Sequence, residues 1–358
     1  MKIFFDARFI RTDFHDGISR YGTELGNALA KITPVTFIIC DKKQLKFLPD
    51  GAKHVMLNNP TSAKEIFAGM ALNKYKPDAV YSPMQTLGAF GRNFKLIYTL
   101  HDMIYYRHRK PPTQLNPFLK FGWRIYHSTY AFQRITLNSA DAVVTVSETS
   151  KDDILSARLT KQPVEVVYNA PQKLAEMIDG PVVQDAKGPR NMVYMGSFMP
   201  YKNAEALIKS MKWLPEHTLH LLSRITPERK AQLSRLIPDG ANVVFHEGVS
   251  DKEYAQLLAD NAIMVSASKD EGYGLPVAEA LALGVPAVIT EMPVFHEVAG
   301  DGALYANANK PQEFADQILK LNDKKLHDDL IERGKKQIEK FSWDKSARKL
   351  LDLIELFV

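Results

Sequence analysis

The stretch SASKDEGYGLPVAEALALGVPAVIT, Ser266 to Thr290, sets two carboxylates, Glu271 and Glu279, eight residues apart around Gly272, Gly274 and Pro276. Pro276 suits the first position of a helix and Gly284 its end. A helix start reached through glycines presents backbone N–H groups, and these bind phosphate or diphosphate. Glu271 then lies in the loop before that site, and Glu279 projects from the first turn of the helix. Ionised carboxylates accept hydrogen bonds from hydroxyls, so the pair suits a hydroxyl-rich group held beside a phosphate. Taken alone, two glutamates at this spacing read more simply as a solvated acidic loop. The surrounding EGYGLP and AxxxGVPAV favour a site. A glycosidase also needs two carboxylates, but it leaves the glycine turn unexplained.

The elements that must position this loop repeat along the chain. Short apolar runs read as buried strands: KIFFD, VTFIIC, HVMLN, AVYS, KLIYTLHD, AVVTVS and VEVVYN, up to Asn169. Helix-length segments separate them, among them ISRYGTELGNALAKI with Ile18, Tyr21, Leu25, Leu29 and Ile32 on one face. The alternation stops near Pro171. Residues 172–191, with Pro and Gly breaks, read as a linker. It restarts with MVYMGS, TLHLLS, VVFHEG, IMVSAS, PAVIT and ALYAN. The expectation is α/β: two Rossmann-like parallel-sheet domains facing a cleft, with ligands beyond the carboxyl ends of the strands. Their bounds are 1–171 and 192–342, and a last helix, about 343–358, packs back on the first domain.

Composition fits this picture. The chain has 358 residues, 45% of them hydrophobic, and a net charge of +5. The length suits two domains, and so mild a charge argues against a nucleic-acid binder. The single cysteine, Cys40, reads as a buried strand residue, which excludes an internal disulfide and fits a reducing compartment. MKIFFDARFI is too quickly charged for a signal peptide, and no apolar run is long enough to span a membrane. A cytoplasmic location is expected.

Residues 266–290 resemble the signature of the retaining family 4 glycosyltransferases, which have the GT-B fold. Tyr273 stands where Phe is usual and Leu281 where Met is usual. Four further segments resemble the family in order: DGISRYGTELGNAL, YTLHD, VYMGSFMPYKN and EVAGDGALY. The resemblance implies that Glu271 binds hydroxyls of the donor sugar and Glu279 the ribose of the nucleotide. Ser197, Gly272, Tyr273, Gly274 and Leu275 border the donor, and Pro276 has no N–H to give. Lys202, in PYKN, matches the lysine that neutralises the leaving diphosphate. His101, in YTLHD, is expected near the donor sugar, although it also fits a structural histidine paired with Asp102. Gly17, before the first helix, is expected against the diphosphate, with Arg20 a second cation. Many relatives carry Arg where this chain has Ser197.

The activity that the resemblance implies is hexosyl transfer with retention of configuration, with His101, Glu271 and Lys202 as the catalytic residues. The partners are a nucleotide-sugar donor and a glycan or lipid-linked acceptor, in cell-surface polysaccharide synthesis. No cofactor and no metal are expected. Asp-x-Asp is absent, and Lys202 with the helix start takes the metal's place. GDP-mannose is the expected donor, because IYTLHDM and PYKN look most like the polysaccharide mannosyltransferase branch. UDP- and dTDP-sugars remain open, as does a non-catalytic nucleotide-sugar binding protein.

One segment adds a surface. From Met103 to Ala140 there is no acidic residue, against six basic ones: Arg107, Arg109, Lys110, Lys120, Arg124 and Arg134. FLKFGWRIYHSTYAFQRI reads as a single helix with Lys120, Arg124, His127 and Arg134 on one face. Leu119, Trp123, Tyr126 and Tyr130 form an adjacent stripe. A solvated basic face is the plain reading. The functional one is an acceptor or anionic-membrane patch of Lys120, Trp123, Arg124 and Arg134, peripheral at the inner face of the membrane.

Overall fold

All thirteen apolar runs are strands in the computed structural model, which describes residues 1–13, 16–109, 117–183 and 191–358, with side chains of the 117–126 helix from Lys120 onward. β1 (Ile3–Asp6), β2 (Val35–Ile39), β3 (His54–Met56), β4 (Ala79–Ser82), β5 (Lys95–Thr99), β6 (Ala142–Thr145) and β7 (Val164–Val166) form one parallel sheet, ordered β3-β2-β1-β4-β5-β6-β7. β8 (Asn191–Tyr194), β9 (Thr218–Leu221), β10 (Asn242–Phe245), β11 (Ala262–Ser266), β12 (Ala287–Thr290) and β13 (Leu304–Ala306) form a second, ordered β10-β9-β8-β11-β12-β13. Every residue of β1, β4 and β6 is buried, as expected where helices cover both faces of a sheet. Exposed positions appear in the edge strands β3 and β10. Several strands end earlier than their apolar runs, so His101, Ser197 and Ser268 all lie in loops. Cys40 falls one residue past β2 and is only half-buried.

The chain divides into two compact units, Met1–Asn169 with Phe341–Val358, and Ala170–Lys340. In the first, the helix Trp343–Glu355 packs on the helix Gly17–Ile32, with Tyr21 and Trp343 edge to face at 5.9 Å. Ser346 adds a hydrogen bond to the Tyr168 carbonyl at 2.8 Å. Among the described residues no helix is long and apolar enough to cross a membrane.

Two expectations fail here. Residues 172–183 are not a free linker. Leu174 is buried, and Val183 exchanges backbone hydrogen bonds with the end of the helix Asp251–Ala259: its N–H donates to Ala259 O at 2.8 Å, and its O accepts from Asn261 N at 3.1 Å. The segment belongs to the second unit; residues 184–190 lie outside the described residues. The single basic helix is two helices, Pro117–Tyr126 and Ala131–Asn138. The break has a chemical cause in HST. His127 Nδ1 lies 2.9 Å from Trp123 O, Ser128 Oγ donates to Ile125 O at 2.7 Å, and Thr129 Oγ1 accepts from Ala131 N at 3.2 Å. Side chains that bind nearby backbone groups compete with the helix ladder.

Candidate active site

The strand order of the second sheet reverses between β8 and β11, the point where open α/β sheets bind ligands. The loops after these two strands carry the candidate residues. After β8, the turn Pro200–Lys202 ends at Asn203, whose backbone is left-handed at φ 54°. Its side chain donates to Ala267 O at 3.0 Å and Ala308 O at 2.8 Å, while Lys269 N donates to Tyr201 O at 2.7 Å. Three loops are thereby fastened around Lys202.

Lys202 Nζ donates to Glu271 Oε1 at 2.6 Å, with side chains only 17% and 14% exposed. Sequence reasoning gave these two residues separate ligands; the structure joins them in one partly desolvated ion pair. Such a pair fixes each charge, because either alone would be costly to hold there.

The glycines of the signature have different duties. Gly274 is left-handed at φ 95°, and a Cβ there would lie 2.6 Å from the Phe295 ring, so no other residue fits without strain. The helix Leu275–Leu283 follows, one residue earlier than Pro276 suggested, and Gly284 caps it at φ 83°. Val277 N is taken by Gly274 O at 3.0 Å, and Pro276 has no N–H. Of the helix-start donors, that leaves Leu275 N–H for a phosphate to meet, fewer than an ordinary helix start offers. Glu279 sits in the second turn rather than the first. It is buried, and its Oε1 accepts from Gln172 Nε2 at 2.8 Å. No sequence pattern links these residues across 107 positions.

Ser197 is exposed, and its carbonyl accepts from the buried Tyr194 hydroxyl at 2.6 Å. A guanidinium does reach this loop. Arg229 Nε donates to Phe198 O at 3.0 Å, and its charge is matched by Glu205.

In the first unit, His101 Nε2 lies 2.9 Å from Pro83 O, not beside Asp102, which instead accepts from Ile104 N. A carbonyl only accepts, so Nε2 carries the proton and Nδ1 is left as an acceptor. Burial, the main cause, lowers the His101 pKa to about 4 against weaker opposing effects of Pro83 O and Asp16. The ring is neutral near pH 7, and Tyr21 packs on it edge to face at 4.9 Å. Gly17 is the first residue of its helix, exposed, with open space where a Cβ would go. Arg20 lies in the first turn of the same helix.

A buried network at the switch point of the first sheet went unread in the sequence. Arg8 is held by Asp6 and Glu65, both at 2.8 Å, and Ser82 Oγ donates to Asp6 at 3.0 Å. Burial opposes the Arg8 charge, but the two carboxylates more than offset it.

The basic patch is smaller than its sequence suggests. Arg134 belongs to the second helix and donates to the carbonyls of Arg158 at 3.0 Å and Ala157 at 2.9 Å, at the end of the helix Glu148–Ser156. Arg107 pairs with Asp153 at 2.7 Å. His127 stacks on Trp123 at 4.0 Å instead of joining a basic face. Lys110 and the Leu119 side chain lie outside the described residues. Arg109 Nε donates to Tyr106 O at 3.2 Å. Lys120 and Arg124 remain, without a hydrogen-bond or ion-pair partner among the described residues.

Comparison with known proteins divides along the same two units. Residues 15–170 match the family Glycosyltransferase Family 4, and residues 181–337 match glycosyl transferases group 1. The chain is 25% identical over 339 residues to the O-antigen chain mannosyltransferase RfbU of Salmonella typhimurium, covering 92% of each. It is 28% identical to O-antigen chain mannosyltransferase B of Escherichia coli over 62% of each chain. Among solved structures, sucrose-phosphate synthase from Thermosynechococcus elongatus aligns with a TM-score of 0.76 at 18% identity, over 99% of this chain and 98% of that one.

Proposed function

The chain belongs to the family 4 glycosyltransferases of the GT-B fold, and we propose that it transfers a hexosyl group, with retention and without a metal, from a nucleotide-diphosphate sugar. The proposed donor is GDP-mannose and the acceptor a glycan or lipid-linked sugar in cell-surface polysaccharide synthesis. The relatives named as O-antigen mannosyltransferases support the sugar and the setting.

The observation that carries the reading is the Lys202–Glu271 pair at the sheet's switch point, beside the start of the helix Leu275–Leu283. The bond between the anomeric carbon and the diphosphate oxygen breaks, and charge develops on the diphosphate. Lys202 and the amides near Leu275 stabilise that charge without rearrangement. The acceptor oxygen bonds to the anomeric carbon from the face the diphosphate leaves, and its proton passes to the leaving group. Glu271 accepts hydrogen bonds from sugar hydroxyls and Glu279 from the ribose, where Gln172 orients it. His101, through Nδ1, accepts from a hydroxyl of the transferred sugar. Gly17 approaches the diphosphate.

The test is nucleoside diphosphate release from GDP-mannose, UDP-hexoses and dTDP-rhamnose with an acceptor panel. Lys202→Ala and Glu271→Gln should each lower kcat by about 10²–10³-fold, the usual size for one electrostatic group at the reacting centre. A rate within a few-fold of wild type in either would remove these roles. Turnover should persist in EDTA; a collapse reversed by Mg²⁺ would overturn the metal-free reading. Donor binding without release under any acceptor would make the chain a binding protein.

A further inference from the structure

The first unit contains a cavity of about 1170 Å³ whose walls include Trp123 and Tyr126 of the helix Pro117–Tyr126. It is larger than the roughly 300–1,000 Å³ typical of a small-molecule pocket. Three features of its lining decide what it can hold.

Most polar groups on its wall are bonded within the protein; Gln85, Thr86 and Tyr105 are exceptions among the described lining residues. Tyr98 donates to Leu87 O, Tyr126 donates to Gln133 Oε1 at 2.8 Å, and Thr136 donates to Phe132 O at 3.0 Å. Arg92 pairs with Asp141 at 2.8 Å, and Glu65 is held by Arg8 at 2.8 Å. A glycan would need convergent donors and acceptors for its hydroxyls, and most of those present are already engaged. A hydrocarbon needs none.

The exposed part of the lining is largely apolar. Ile66, Phe90 and Ile135 line the cavity and are 63%, 62% and 72% exposed. Single exposed hydrophobics are ordinary, but three around one opening mark a binding surface. Phe67, itself exposed, extends the rim by an edge-to-face contact with Phe90 at 6.0 Å.

The helix that supplies one wall is basic. The helix that supplies Trp123 also carries Lys120 and Arg124 one turn apart, and residues 103–140 contain no acidic side chain. An apolar chain ending in an anionic head satisfies both features.

We propose that this cavity receives the hydrocarbon chain of an anionic lipid-linked acceptor, with Lys120 and Arg124 meeting its phosphate-bearing head. The word acceptor rests on the transferase reading above; the seat for the chain does not.

The test uses the full chain and n-alkyl phosphates from octyl to dodecyl, below their micelle concentrations, followed by calorimetry and tryptophan fluorescence without any donor. Affinity should rise about fourfold per added methylene while the chain remains within the cavity. Trp123→Phe should remove the fluorescence response. Ile135→Asp and Phe90→Asp, at exposed positions that folding does not need, should abolish the dependence on chain length. Lys120→Glu with Arg124→Glu should remove the preference for dodecyl phosphate over dodecyl maltoside, leaving chain-length dependence in place. Inorganic phosphate should give no Trp123 response. Affinity independent of chain length, or a dependence unchanged in Ile135→Asp and Phe90→Asp, would overturn the proposal. So would a free oligosaccharide competing at the same wall. Chain binding in a protein that turns over no donor would count against the transferase reading and leave the cavity assignment standing.

Discussion

His101 is neutral across the physiological range because its surroundings disfavour the imidazolium. Its pKa falls to about 4 mainly through burial, against about 6.5 for an exposed ring. Between these values the unfolded chain binds more protons than the folded one, so stability falls as pH drops through this window. The contribution is complete above about pH 6.5 and lost by about pH 4. We expect the melting temperature of His101→Gln, whose amide can still donate to Pro83 O, to fall less than wild type between pH 6.5 and 4. Parallel curves would mean that His101 is not held neutral. The acid limb of kcat/KM should likewise show no His101 ionisation near pH 6.5. The histidine itself was legible from YTLHD at a strand end. Its partner was not, because Pro83 lies in another loop and offers only a backbone carbonyl.

At the scale of elements, the site depends on loops being fastened to one another. Asn203 holds Lys202 in place with a left-handed backbone and two hydrogen bonds to neighbouring loops. Asn203→Ala removes two bonds of about 0.5–1.5 kcal/mol each and leaves a residue without the amide that eases the left-handed form, which costs about 1–2 kcal/mol for an ordinary side chain. Denaturant unfolding should register a loss of about 2–5 kcal/mol, with Asn203→Gly milder because it tolerates the backbone. An equal loss in both would show that the backbone conformation contributes little. Strands were the legible elements: runs buried on both faces are apolar throughout, so β1, β4 and β6 stand out without any tertiary knowledge. The helix break at HST was hidden because aromatic and basic residues keep helical spacing across it. Gln172 was hidden too. A polar side chain in a proline-rich stretch looks like linker until its partner, Glu279, is brought to it by the fold. The Asp6–Arg8–Glu65 network has the same cause, since Glu65 is 57 residues from Arg8.

Over the whole molecule, the net charge of +5 is concentrated locally, with six basic and no acidic residues between Met103 and Ala140. Structure divides that set by task. Arg107 is neutralised by Asp153, and Arg134 holds the carbonyls at a helix end. Lys120 and Arg124 face no such demand, and Phe121 and Ile125, each next to one of them in the chain, are exposed. Each basic residue at an anionic bilayer contributes about 1 kcal/mol, so two give weak, reversible attachment. Exposed apolar side chains add to it by entering the interface. We therefore expect the protein to sediment with phosphatidylglycerol vesicles at low salt and to be released as salt shortens the Debye length. Lys120→Glu with Arg124→Glu should end sedimentation and leave the melting temperature within about 0.5 kcal/mol equivalent, as for ordinary surface changes. Arg134→Ala should do the reverse: binding persists, while loss of two hydrogen bonds from a charged donor lowers stability by about 1–3 kcal/mol. If Arg134→Ala instead abolished vesicle binding at unchanged stability, the basic face of Lys120, Arg124, His127 and Arg134 read from the sequence would be right, and the structural division of labour wrong.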